Sequence, residues 1–165
     1  MKKFIIFAAA ALAFPFFFAK PAAAQTAQLT VTATVLDACE VTSGTLDFGT
    51  YDPLSGQAVT GSGTFTVTCT KDTPATIVLD QGMNPDSGST DDNPLRRMAS
   101  GTNYLSYALY SDSNGVNVWG NTAATGVAFI GTGTPETFTV YGVIPASQNV
   151  PAGQYTDTVT IRVTF

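Results

Sequence analysis

The chain contains no histidine. That absence removes the Ser-His-Asp and Cys-His arrangements, in which an imidazole takes the nucleophile's proton. Basic residues are scarce as well: seven Lys and Arg stand against twelve Asp and Glu. Lys71 is the one lysine beyond the first twenty residues, so a Ser-Lys pair has a single base to draw on. Glu40 and Glu136 are the only glutamates. A glycosidase needs two carboxylates facing each other across a cleft. Asp91 and Asp92 are instead adjacent in a polar stretch, and Asp47 and Asp52 flank turn residues. Asp86, Asp91, Asp92 and Asn93 are hard oxygen ligands in one stretch, but their spacing matches no EF-hand, and loop acids are usually just solvated. Gly131-Thr132-Gly133 lacks the phosphate-loop pattern. No catalytic site, metal or cofactor is expected.

Long apolar runs are confined to the start of the chain. Lys2 and Lys3 precede an apolar stretch from Phe4 to Ala19, and Ala22-Ala23-Ala24 supplies small residues for cleavage before Gln25. This is the pattern of a secretory signal peptide over residues 1–24. Pro15, Lys20 and Pro21 break the run too early for a membrane helix. Without residues 1–24 the chain loses three lysines and no acid, leaving four bases against twelve acids and a net charge of −8. Such a surface disfavours nucleic acid and anionic lipid. Cysteine is also sparse. Cys39 and Cys69 form a lone pair. In an exported chain this reads as one disulfide, and with no histidine and no neighbouring thiol a zinc site lacks ligands.

What remains is rich in Thr, Ser, Gly and Val, which favours strands and turns. Residues 27–35 alternate without a slip: Ala27, Leu29, Val31, Ala33 and Val35 fall on one face, and Gln28, Thr30, Thr32 and Thr34 on the other. The other end mirrors this, with Val159, Ile161, Val163 and Phe165 alternating with polar residues up to the last position. Further strands are expected over residues 64–69, 75–79, 104–110, 116–119, 126–130 and 137–143. Residues 82–103 read as the least structured part, with Gly82 to Pro94 a long surface loop. Seven to nine strands at this spacing imply a Greek-key sandwich. Tyr104, Tyr110 and Trp119 are candidates for a glycan-stacking platform, though such aromatics more often pack inside.

Several pieces in a fixed order carry a resemblance. These are Cys39, Leu46-Asp47-Phe48-Gly49, Val67-Thr68-Cys69, and Leu105-Ser106-Tyr107-Ala108-Leu109-Tyr110-Ser111-Asp112 with Trp119-Gly120. They continue with Tyr141-Gly142-Val143-Ile144-Pro145, then Gly153-Gln154-Tyr155-Thr156-Asp157-Thr158-Val159 and the terminal Phe165. In this order the chain resembles the spore coat protein U domain family, which includes the pilin subunits of archaic chaperone–usher fimbriae.

The resemblance implies an immunoglobulin-like sandwich over residues 37–165 that lacks its final strand. A periplasmic chaperone would fill the gap first, and an outer-membrane usher would then replace it with the N-terminal strand of the next subunit. Residues 25–36 would be that donor, with Ala27, Leu29, Val31, Ala33 and Val35 facing the groove. Val159, Ile161, Val163 and Phe165 would form a wall of the acceptor. The product would be a surface fimbrium serving adhesion or biofilm formation. The alternative is that residues 27–35 are the domain's own first strand; alternation alone does not separate the two, and the resemblance favours the donor. A non-polymerising secreted coat or matrix protein of the same fold is the runner-up, and a glycan-binding module is the third reading.

Overall fold

The structure is a computed structural model that describes residues 22–165. The signal-peptide reading falls almost wholly on residues 1–21, outside the described residues. The chain divides at Thr34 and Val35 into two units. In the first, residues 22–34 form no strand and are exposed throughout, with Leu29 at 88% and Val31 at 83% exposure.

The second unit is the expected all-β, immunoglobulin-like sandwich. Nine strands and no helix are found among the described residues. One sheet is built on β3 (Val59–Cys69) and β8 (Glu136–Ile144), antiparallel over nine residue pairs from Val59↔Ile144 to Val67↔Glu136. β6 (Asn103–Tyr110) lies on the far side of β8, and β5 (Arg96–Ser100) on the far side of β6. Two short pieces, β1 (Cys39–Val41) and β2 (Thr45–Leu46), pair with β3. The second sheet has three strands, with β4 (Pro74–Leu79) between β7 (Val127–Ile130) and β9 (Ile161–Thr164).

The period of two decides what goes inside. Phe65, Val67 and Cys69 of β3 are buried, as are Ala75, Ile77 and Leu79 of β4 and Leu105, Tyr107 and Leu109 of β6. Burying the valine, leucine, isoleucine and phenylalanine side chains among them stabilises by about 1.5–3 kcal/mol each. Aromatic rings knit the layers: Phe65 lies 5.9 Å from Phe138 and 5.8 Å from Trp119, and Phe129 of the facing sheet meets Phe138 edge-on at 5.1 Å. Cys39 and Cys69 are bonded, and they are direct cross-strand partners at one end of β3.

Three sequence expectations are corrected. Residues 96–100, read as part of the least structured stretch, form β5. Arg96 is the reason the pattern was hidden: a charged residue points inward and is fully buried. Its guanidinium donates to the carbonyls of Leu79, Asp80 and Trp119 at 2.8–2.9 Å, stitching β5 to the end of β4. Residues 116–119, expected as a strand, make only an isolated bridge between Val118 and Tyr110. Trp119 leaves the sheet instead and turns into the core, where it is 1% exposed and its Nε1 donates to the Ile77 carbonyl at 2.9 Å. A buried indole cannot stack on a sugar, which removes Trp119 from the glycan platform. The terminal strand is also shorter than the alternation, ending at Thr164 and beginning only at Ile161.

Candidate functional site

β3 carries glycines at two inward positions, Gly61 and Gly63, and Gly61 is paired across the sheet with Gly142 of β8. The inner face is therefore bare where a sandwich would normally place side chains. The chain after β2 exploits this gap. A Cβ on Gly142 would meet Phe48 Cζ at 2.6 Å and Leu46 Cδ1 at 3.0 Å, so both side chains lie directly on the glycine backbone. Phe48 then reaches Tyr107 of β6, with ring centroids 6.1 Å apart. Leu46 and Phe48 thus become an inner wall of the sandwich although they belong to an edge segment.

The opposite wall is the stretch leading into β9. It is held by Ala99 and Thr156, which exchange backbone hydrogen bonds at 2.8 and 3.1 Å. Asp157 fixes it more deeply. The Tyr107 hydroxyl donates to Asp157 Oδ2 at 2.6 Å, and Asp157 Oδ1 accepts from the Met83 backbone N–H at 3.0 Å. Burial first, and then this carboxylate, push the Tyr107 hydroxyl pKa far above its ordinary value. The tyrosine therefore stays a neutral donor.

An open cleft separates the two walls. Its deeper part, 570 Å³, lies among Phe65, Leu79, Leu109, Val140, Val159 and Ile161. A second part, 780 Å³, continues past Leu105 and Ile144 to Tyr51 and Leu54. Leu46, Phe48, Met98 and Tyr155 line both, so the cleft is one groove. Leu54 stands at its rim at 92% exposure. β9 has β4 on one side and, among the described residues, no strand on the other. An apolar groove beside an unpaired strand edge is the arrangement an added strand satisfies, since main-chain groups and side-chain pockets are offered together.

The four expected acceptor residues do not all meet in it. Val159 and Ile161 line the groove, Val163 packs against the same core further along, and Phe165 is 61% exposed beyond the end of β9. The donor residues Ala27, Leu29, Val31, Ala33 and Val35 are all exposed. Leu46, Phe48, Met98, Val140 and Tyr155 were not singled out as groove residues from the sequence, because nothing along the chain shows which strands flank a gap. The loop acids are occupied: Asp91 accepts from Gln81 and Asn121, Asp92 from Thr122, and Asp86 pairs with Arg97 at 3.0 Å. Tyr104 is covered on one face by Arg97, whose guanidinium carbon lies 4.2 Å from the ring centroid.

The chain is similar to several known proteins. A family model described as the Spore Coat Protein U domain matches residues 25–162. Protein U of Myxococcus xanthus is 47% identical over 155 residues, covering 87% of each chain. Among solved structures, a chain of the CsuC–CsuE complex of Acinetobacter baumannii superposes with a TM-score of 0.56 at 27% identity. That complex is a chaperone–tip adhesion subunit pre-assembly complex from archaic chaperone–usher Csu pili. The match covers 80% of this chain and 40% of that one, so it spans well under half of the longer partner.

Proposed function

The chain belongs to the Spore Coat Protein U domain family, and on that premise we propose that it is a structural subunit of a surface fibre assembled by a chaperone–usher pathway. After export to the periplasm, a chaperone strand occupies the groove beside β9. At an outer-membrane usher, residues 25–36 of the next copy replace it, and repetition yields a head-to-tail fibre on the cell surface. A heterologous contact that does not close on itself gives a filament. No catalytic step enters the reading. Adhesion or biofilm formation is the service such a fibre would render.

One observation carries the proposal: an apolar groove lies open beside an unpaired strand edge in a chain whose exposed N-terminal segment alternates with a period of two. Leu29, Val31 and Val35 could each contribute about 1.5–3 kcal/mol on burial in such a groove. The test compares Val31→Asp with Thr32→Asp, scoring chaperone complex and surface fibre separately. A charge on the apolar face would enter a groove at a cost of several kcal/mol. A charge on the polar face would stay in water. The expected result is normal chaperone complex with lost fibre for Val31→Asp, and normal amounts of both for Thr32→Asp. Loss of the chaperone complex with Val31→Asp would place this segment in the subunit's own fold and defeat the donor assignment.

The family description favours a second reading, a secreted coat protein that uses the same fold without polymerising. Expressing the chain with and without a periplasmic chaperone separates the two, because only the fibre subunit depends on it for accumulation.

A further inference from the structure

The disulfide sits at a mechanically special place. Cys39 is the first residue of β1, immediately after the exposed N-terminal stretch, and its bond leads to Cys69, the last residue of β3. Between them in sequence lie β2 and the groove-wall residues Leu46 and Phe48. Resting on the fibre reading above, we infer that the Cys39–Cys69 bond is a load clamp: it carries tension from the N-terminal segment directly into β3 and keeps that tension off the groove wall.

The noncovalent anchorage at this point is slight. Asp37 Oδ1 accepts from the buried Thr73 hydroxyl at 2.8 Å, and Ala38 exchanges bonds with Thr70 at 2.9 and 3.1 Å. β1 adds three residue pairs. A pull applied at residue 36 and directed away from β3 loads these bonds one at a time from the strand end, so they peel in sequence rather than resist together. Once β1 has peeled, the Thr42–Thr66 bonds and β2 come next. Leu46 and Phe48 are then drawn off the glycine floor, and the groove that holds the next copy loses a wall. The disulfide interrupts this path before it begins. Force entering at Cys69 meets a strand of eleven residues that is paired over nine positions with β8. The donor-side load thereby bypasses the Leu46 and Phe48 segment and is spread through β3 and β8.

The size of the effect follows from the chain length protected. Some 20 residues separate Cys39 from Val59, the first residue of β3. Drawn out at about 3.3–3.6 Å per residue they span roughly 70 Å. The eleven-residue β3 already holds their ends roughly 33 Å apart, so release adds roughly 35 Å per subunit.

The experiment stretches fibres collected from cells, one at a time, before and after reduction, with thiol labelling to confirm that the bond has opened. A second arm uses fibres of the Cys39→Ala/Cys69→Ala chain. Unloaded fibres are imaged in parallel. The expected result is unchanged unloaded morphology, an added extension of roughly 35 Å per opened subunit, and rupture at lower force. Superimposable force–extension curves for oxidised and reduced fibres would overturn the inference. So would fibres that fall apart on reduction without load, because the bond would then simply hold the fold. Absence of any fibre from the unmodified chain would remove the fibre reading itself, and the clamp with it.

Discussion

The glycine floor of the groove makes a quantitative prediction that compares two substitutions of the same kind. In Gly142→Ala the new methyl lies 2.6 Å from Phe48 Cζ and 3.0 Å from Leu46 Cδ1. Both are the far ends of side chains, and an open cleft lies beside them, so the ring can tilt aside. Overpacking at a yielding site falls near the low end of the usual range, about 1 kcal/mol. Replacing Gly by Ala within a strand returns roughly 0.5–1 kcal/mol through the unfolded chain, so the net loss is small. In Gly63→Ala the methyl presses against the Thr45 carbonyl oxygen and meets Leu46 Cβ at 3.0 Å. These are backbone and near-backbone atoms, and β2 must lift from β3 to admit it. Overpacking of about 3 kcal/mol is expected there. Urea unfolding followed by the fluorescence of Trp119, the single tryptophan and a fully buried one, reports both variants. With a slope of about 1–3 kcal/mol per molar urea, a difference of roughly 2 kcal/mol separates the midpoints by about 1 M. Equal midpoints, or a lower one for Gly142→Ala, would refute the placement of the edge segment on the inner face.

Other outcomes follow from particular bonds. Arg96→Met should cost on the order of 3 kcal/mol in the same assay, because three buried carbonyls lose their donor; a loss under about 1 kcal/mol would mean those carbonyls find other partners. Trp119→Phe should lower the thermal midpoint while leaving the β-sheet circular dichroism intact, since only packing volume and the bond to Ile77 are removed. Asp80 gives a pH signature. Burial raises its pKa, but hydrogen bonds from Thr160 and Gly82 and the Arg96 charge outweigh that and hold it below the ordinary value. The folded state thus binds this proton less readily than the unfolded one, so its stabilisation is complete above about pH 4 and is lost as the pH falls further. Asp80→Asn should therefore be less stable than the parent at pH 7, with the gap closing toward pH 2.5; a gap that does not depend on pH would count against the assignment.

The sequence carried the long strands well and the groove poorly, for physical reasons that differ from residue to residue. Leu105, Tyr107 and Leu109 alternate cleanly because β6 is buried on one face only. β5 escaped because its inward residue is Arg96, and a buried charge inverts the pattern that marks a strand. β1 and β2 are too short to show a period. Trp119 follows apparent strand residues but is buried through a bridge and a turn. Phe165 continues the alternation of the last strand, yet it stands past the final pair with β4 and stays exposed. The groove is hardest of all, because its floor depends on Gly61 and Gly142 standing side by side. They are 81 positions apart, and only the register of β3 against β8 brings them together.

Leu54 offers a sharper test of the groove than any of its buried residues, because the free subunit barely uses this side chain. It stands at the rim of the outer cleft at 92% exposure. Replacing an exposed leucine by aspartate should change the subunit's stability by no more than about 0.5 kcal/mol. A strand laid into the groove would cover that rim, and covering a leucine contributes about 1.5–3 kcal/mol, which a charge would forfeit. That corresponds to a loss of roughly 10- to 100-fold in affinity. The measurement is the binding of a labelled peptide spanning residues 25–36 to the isolated folded protein, with Leu54→Asp beside the parent. Val116 is a fitting control, because it is also well exposed but lines neither part of the cleft. The Leu54 change should weaken the peptide while the urea midpoint stays in place, and Val116→Asp should alter neither. Unchanged peptide affinity with Leu54→Asp would mean that an inserted strand does not reach the outer cleft, and the acceptor would shrink to the deeper part beside Val159 and Ile161.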